Sequence, residues 1–122
     1  MDTATKNCAL IVEDDADTRE WLDRVLRGHS YEATSAATLA EAFQKLEDGP
    51  CCVILDLALP DGNGVEILRR IRNRQLPVKV AVLTGSTDFS TVGTAILLKP
   101  DALFTKPVDA NELLAWLSTV CF

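Results

Sequence analysis

Hydrophobic and polar positions along the 122-residue chain fall into two alternating kinds of stretch. Nearly continuous apolar runs occupy residues 8–12, 51–56, 78–83 and 102–105. They are too short for buried helices and rich in strand formers, which predicts strands covered on both faces. Residues 31–35 alternate instead, as a strand near a sheet edge does. The stretches between carry helical spacing. Trp21, Leu22, Val25 and Leu26 form one stripe over residues 16–27, with Gly28 placed as a stop. Thr38 and Glu41 match a capping box ahead of Leu39, Ala42, Phe43 and Leu46, and Gly49-Pro50 ends that helix. After Gly64, Val65, Leu68 and Ile71 face inward until Leu76-Pro77 closes the third helix. Phe89, Val92 and Ile96 mark a fourth, capped by Thr87 or Asp88 and stopped by Pro100. Leu113, Trp116 or Leu117, and Val120 mark a fifth, opened by Asp109.

Strand and helix thus alternate five times. That order predicts the α/β class, with a doubly wound five-stranded parallel sheet, right-handed crossovers and five helices on its two faces. Five strands in a compact chain fit the strand order 2-1-3-4-5. A chain of this length is expected to be a single domain over residues 1–122, burying roughly two-thirds of its unfolded surface, with residues 1–6 a disordered leader.

Composition adds mainly exclusions. A net charge of −6 leaves no electrostatic footprint for nucleic acid or an anionic membrane surface, so neither is an expected direct partner. Arg69, Arg70, Arg72 and Arg74 are a local basic cluster that reads as a solvated helix face. Cys8, Cys51, Cys52 and Cys121 show no C-x-x-C spacing, and adjacent Cys51 and Cys52 point to opposite faces of a strand. Four reduced thiols and a cytoplasmic location are expected. Neither a signal-peptide core nor an apolar run of membrane-spanning length occurs.

The chemistry lies where the strands stop. The first run ends in Glu13-Asp14-Asp15, the third in Asp56, the fourth in Thr84 and the fifth in Lys106. In a doubly wound sheet the carboxyl ends of strands 1 and 3 flank one crevice, so at least three carboxylates converge there. Like charges that close need a cation, and donors that are all oxygen favour Mg²⁺, with Mn²⁺ as a substitute. Asp56 could instead cap its turn, and Glu13 or Asp15 could cap the first helix. A carboxylate beside a divalent cation, a hydroxyl and an ammonium forms a phosphoryl-transfer site in which the carboxylate can act as nucleophile.

Four motifs carry a family likeness: Ile11-Val-Glu-Asp-Asp15, Val53-Ile-Leu-Asp-Leu-Ala-Leu-Pro-Asp-Gly-Asn-Gly64, Val82-Leu-Thr-Gly85 and Phe104-Thr-Lys-Pro107. Over residues 8–120 the chain resembles the receiver domains of two-component response regulators, a flavodoxin-like, CheY-like fold. The resemblance implies that Asp56 accepts a phosphoryl group from a sensor histidine kinase or a histidine phosphotransfer protein. It implies that Asp14 binds Mg²⁺ directly, that Glu13 acts mainly through a water on the metal, and that the Ala58 backbone carbonyl is a further ligand. Thr84 would hydrogen-bond the phosphoryl group and act as a switch, Lys106 would pair with it, and the Lys106–Pro107 bond would be cis. Such a domain catalyses its own phosphorylation and dephosphorylation without being a metabolic enzyme.

The chain also departs from the family pattern. The usual aromatic switch position holds Leu103, with Phe104 expected on the other side of its strand. Output is therefore expected to run through backbone and fourth-helix movement, on the face of helix 4, strand 5 and helix 5. Gly93 weakens that helix. Ala58 and Ser86 are expected to set the phosphorylated lifetime. No output domain is expected after the last helix, which fits either a stand-alone receiver or part of a larger regulator or hybrid kinase; the effector is unspecified. The alternative reading is a phosphate-independent pseudo-receiver acting as a protein-interaction module. A small-substrate hydrolase would want an acid where Ala58 stands, and a flavin carrier would want a phosphate loop after strand 1.

Overall fold

The computed structural model describes residues 8–85 and 89–120. In chain order the elements are β1 (Cys8–Val12), α1 (Ala16–Arg27), β2 (Glu32–Ala36), α2 (Leu39–Leu46), β3 (Cys52–Asp56), β4 (Ala58–Leu59), β5 (Gly62–Asn63), α3 (Val65–Asn73), β6 (Lys79–Thr84), α4 (Phe89–Leu97), β7 (Ala102–Thr105) and α5 (Ala110–Val120). Five strands form one parallel sheet in the order β2-β1-β3-β6-β7. This is the expected order 2-1-3-4-5, because β4 and β5 pair only with each other as a small antiparallel hairpin. The hairpin lies in what the sequence presents as a plain loop.

Side-chain alternation along the central strands sorts the core into two layers. Leu10, Val12, Val53, Leu55, Val80 and Val82 point to one face, where Ala42 and Leu46 of α2, Val65, Ile67, Leu68 and Ile71 of α3, and Ala95 of α4 cover them. Ala9, Ile11, Cys52, Ile54 and Leu83 point to the other, against Leu22 and Leu26 of α1 and Leu113 and Leu117 of α5. Every residue of β3 is buried, as its unbroken apolar run requires.

Helix ends follow the capping signals with two local changes. Asp15 caps α1, accepting from the Thr18 amide at 2.9 Å and the Thr18 hydroxyl at 2.6 Å. Thr38 accepts from the Glu41 amide, but the Glu41 carboxylate reaches the amide of Ala37 rather than that of Thr38. Gly28 keeps right-handed geometry at the end of α1, and Ser30, with φ 68°, makes the left-handed reversal. Lys99 takes φ 54° directly before Pro100 and terminates α4.

Three expectations are corrected. The second sheet strand runs one residue later than residues 31–35, because the Tyr31 amide is spent on the Leu26 carbonyl at 3.0 Å while Ala36 pairs with Val12. Cys8 and Cys52 are reduced thiols, but Cys51 is disulfide-bonded, to neither of those two. Cys52 sits in the core, its thiol pushed up to about 12 chiefly by burial; Cys51 is half-exposed at the sheet margin, where another cysteine can reach it. The α3 arginines are not simply solvated. Arg70 stacks 4.2 Å from the centre of the Phe43 ring, and Arg72 reaches across to the end of α4, donating to the carbonyls of Leu98 at 3.0 Å and Lys99 at 2.6 Å.

The expected leader, Ser86 and the capping candidates Thr87 and Asp88 lie outside the described residues. No helix among the described residues is long and apolar enough to cross a membrane.

Gly93 lies within α4, and a Cβ added there meets nothing within 4 Å. Gly93→Ala is therefore expected to stabilise the chain by about 0.5–1 kcal/mol through helix propensity alone. Chemical denaturation measures this as a higher midpoint at unchanged slope.

Candidate functional site

The register of the sheet builds the site. Val12 pairs with Leu55, so the residues that follow, Glu13 and Asp56, leave adjacent strands side by side. Asp56 pairs with Leu83 and Thr84 with Thr105, which brings Thr84 and then Lys106 to the same edge. Among the described residues, Glu13, Asp56 and Thr84 are the polar ones that this packing buries, at 1%, 6% and 8% exposure. Asp14, one residue on, faces solvent.

Carboxylate oxygens of Glu13, Asp14 and Asp56 can all lie within 4.8 Å of one another. At that spacing their repulsion is large wherever water is scarce. The Lys106 ammonium answers it, lying 2.8 Å from Glu13 Oε1 and 3.2 Å from Asp56 Oδ2. Burial pulls the Lys106 ammonium toward deprotonation, but its hydrogen bond to Glu13 and the charges of Asp56 and Glu13 outweigh it and hold its pKa above the ordinary lysine value. The remaining oxygens are also engaged. Glu13 Oε2 accepts from the Asp15 amide at 3.1 Å, and Asp56 Oδ1 from the Ala58 amide at 3.2 Å. Arg19 braces the acidic loop from α1, donating to the carbonyls of Glu13 at 2.8 Å and Asp14 at 3.3 Å.

A cleft of about 470 Å³ opens beside Asp56, between the β4–β5 hairpin and the ends of β6 and β7. Ala58, Asn63, Thr84, Gly85 and Lys106 are among its lining residues. The chain passes from Asp56 into α3 through Gly64. A Cβ there would lie 2.4 Å from the Asp56 carbonyl oxygen, so only glycine allows the turn to close behind the carboxylate. Asn63 Oδ1 accepts from the Val65 amide at 2.9 Å and fixes the start of α3. The Lys106–Pro107 peptide is cis. Leu103 is 43% exposed on β7, while Phe104 on the opposite face packs edge-on to Trp116, ring centres 6.4 Å apart.

The sequence model for the response regulator receiver domain matches residues 9–118. The chain belongs to that family. Its sheet order and helix placement are those of CheY-like proteins, and it is the receiver domain of a two-component response regulator. The receiver is 32% identical over 109 residues to the acid tolerance regulatory protein ActR of Rhizobium meliloti, covering 88% of this chain and 56% of ActR. It is 33% identical over 112 residues to the response regulator PilR of Pseudomonas aeruginosa, covering 91% of this chain and 25% of PilR. The receiver thus spans about half the length, or less, of these curated relatives. Among solved structures it superposes on a CheY-like receiver domain protein from Methanospirillum hungatei with a TM-score of 0.86 and 27% identity, covering 93% and 91% of the two chains. A response regulator from Chloroflexus aurantiacus gives a TM-score of 0.83 and 30% identity, covering 93% and 96%.

The receiver therefore brings Glu13, Asp14, Asp56, Ala58, Thr84 and Lys106 to one sheet edge and leaves Leu103 away from the cleft. Sequence reasoning missed Arg19 and Asn63. Arg19 reads as part of the wet face of α1, and Asn63 as a loop residue, because their bonds depend on backbone geometry that spacing does not reveal.

The raised pKa of Lys106 gives a pH test. In the unfolded chain lysine titrates near ~10.4. Its pairing thus contributes full stability below that pH and loses it as pH rises through the higher folded value. Lys106→Met is expected to be less stable than the parent at pH ~8, with the gap narrowing above pH ~10.5. Denaturant midpoints of both proteins across this range check it; a gap of constant size would contradict the pairing.

Proposed function

We propose that this receiver is a phospho-acceptor switch in which Asp56 takes a phosphoryl group from a phosphohistidine donor, a sensor histidine kinase or a histidine phosphotransfer protein. The observation that carries the reading is the placement of Asp56 at the buried end of β3, with Glu13, Asp14 and Lys106 around it and an open cleft beside it. An isolated carboxylate that merely capped a turn would need neither the neighbouring acids nor the ammonium.

The donor set suits Mg²⁺, or Mn²⁺ in its place. It is all oxygen, carries several negative charges and is wet on one side through exposed Asp14. Asp14 and Asp56 would hold the ion directly, Glu13 mainly through water, and the Ala58 carbonyl would complete the protein's share. When bound, the ion supplies the positive charge that neutralises these carboxylates and the phosphoryl oxygens.

The chain's own residues do the rest. An Asp56 oxygen attacks phosphorus in line with the donor's P–N bond; that bond breaks, its electron pair goes to the imidazole nitrogen, and the histidine leaves neutral after taking up a proton. Asp56 becomes an acyl phosphate. Lys106 then turns from its carboxylate partners to the phosphoryl oxygens, and the Thr84 hydroxyl binds another. The phosphoryl group is lost by hydrolysis: water attacks phosphorus, the P–O bond to Asp56 breaks with its electron pair returning to the carboxylate, and inorganic phosphate leaves with the water's oxygen. Ala58, exposed at the cleft and with no side-chain polar group, leaves that path open. It is expected to set the lifetime together with Ser86.

The face of α4, β7 and α5 is the proposed output surface. Leu97 at 80% exposure, with Ile96 and Leu103 also exposed, gives it apolar area for a partner. The phosphodonors are expected to be cytoplasmic and so is this receiver. The reduced thiols of Cys8 and Cys52 support that placement, and the disulfide at Cys51 is the feature it does not explain. A phosphate-independent pseudo-receiver is the second reading, favoured only by the exposed aliphatic Leu103 where most receivers carry an aromatic ring.

The test is incubation with Mg²⁺ and a small phosphodonor, read by intact mass, and with beryllofluoride, read by fluorescence. Trp21 and Lys106 line one cleft, so Trp21 reports movement of the lysine. The parent should gain one phosphoryl group and respond to beryllofluoride; Asp56→Asn should do neither. A parent inert in both assays would leave the pseudo-receiver reading in place.

A further inference from the structure

The β4–β5 hairpin is too small to hold itself. Its strands share two residue pairs, Ala58 with Asn63 and Leu59 with Gly62, and an isolated hairpin of any length is marginal in water. Yet it forms one wall of the cleft and carries Ala58, the proposed backbone ligand for the metal. Its base is fixed locally, by the Gly64 amide on the Leu57 carbonyl at 2.8 Å and by Asn63 on α3. Its tip is fixed by Asp61. Asp61 Oδ1 accepts from the Leu39 amide at 2.7 Å and Oδ2 from the Ala40 amide at 3.1 Å, across 22 and 21 residues of chain.

Those two amides open α2, and the account of that helix end closes only with Asp61. Its third amide, Glu41, goes to Thr38, and the Ala42 amide makes the first intrahelical bond, to the Thr38 carbonyl. The Asp61 carboxylate also meets the positive end of the helix. The Leu39 amide in particular holds the Asp61 pKa below the usual carboxylate value. Next to it Gly62 lies so close to α2 that a Cβ would sit 2.9 Å from Leu39 Cδ2, so hairpin tip and helix start are in direct contact.

We infer that Asp61 is a positioning residue for the phosphorylation site: by bridging the first two amides of α2 it fixes the hairpin, and through the hairpin it presets Ala58 for the metal. The inference rests on the phospho-acceptor reading above and extends it to a residue that touches neither metal nor phosphoryl group. It makes α2, which contributes nothing to the cleft lining, part of what sets metal affinity.

Mg²⁺ titration followed by tryptophan fluorescence, with thermal melts of the same metal-free samples, tests it on Asp61→Ala, Asp61→Asn and Thr38→Ala. Thr38→Ala removes a cap from the same helix but leaves the hairpin bridge, so it isolates loss of helix stability. The Mg²⁺ dissociation constant should rise about fivefold in Asp61→Ala, the equivalent of one lost cap at ~1 kcal/mol, and stay within about twofold in Thr38→Ala despite a lowered melting temperature. Asp61→Asn keeps an oxygen for one amide and should fall between; if Asp61→Ala does not fold, Asp61→Asn against Thr38→Ala decides. Unchanged affinity in the Asp61 variants, or an equal loss in Thr38→Ala, overturns the inference while leaving the receiver reading intact. A parent that binds no Mg²⁺ overturns both.

Discussion

The structure depends on a lysine holding two buried carboxylates together. Parallel pairing of β1 with β3 sets Glu13 and Asp56 side by side, both buried, and nothing in the sheet can move them apart without breaking its register. Lys106, delivered by β7 from the far side of β6, supplies the charge that makes this arrangement tolerable. Removing one partner from such a cluster leaves the others buried and uncompensated, which is why the three act as a unit. The same cluster is what a divalent cation would seek. In the proposed cycle the ammonium and the metal are alternative answers to one electrostatic problem, and the lysine is free to meet a phosphoryl group when the metal takes over its first task.

Around that cluster side chains tie loops to helices. On the side of α1 to α3, Arg19 binds the acidic loop, Asp15 caps α1, Asp61 binds the start of α2 and Asn63 the start of α3. On the side of α4 there is open space beside Gly93, Ile96 and Leu97 are exposed and apolar, and the chain just past the helix is tied to α3. There Arg72 binds the carbonyls of Leu98 and Lys99 and meets Asp101, which in turn accepts from the Val80 amide at 2.8 Å. Exposed Ile96 and Leu97 and the space beside Gly93 suit α4 to shift when the site changes charge.

The sheet order and the members of the site were legible because they follow from what a sequence displays directly: where apolar runs stop, and which polar residues stand at the stops. Val53 to Asp56 needed no tertiary information to be placed as a buried strand with a carboxylate at its end. Side chains whose partners are backbone groups of other elements were not legible. Asp61 follows Pro60 and precedes Gly62, which reads as a turn and nothing more, although its partners sit at the start of a helix 22 residues earlier. Arg72 falls on the outer side of its helix by spacing, and its bonds to the end of α4 emerge only when the two helices are packed. Cys51 looked equivalent to Cys52 in a strand run. The strand in fact begins one residue later, which leaves Cys51 at the margin and able to form a disulfide.

The central claim is that Lys106 and the metal answer to the same carboxylates, and the Mg²⁺ dissociation constant of Lys106→Met against the parent, read at neutral pH and low salt, tests it most directly. Removing the ammonium 2.8 Å from Glu13 and 3.2 Å from Asp56 should leave a more negative site and tighten Mg²⁺ binding. An affinity unchanged or weakened in the folded variant would contradict it.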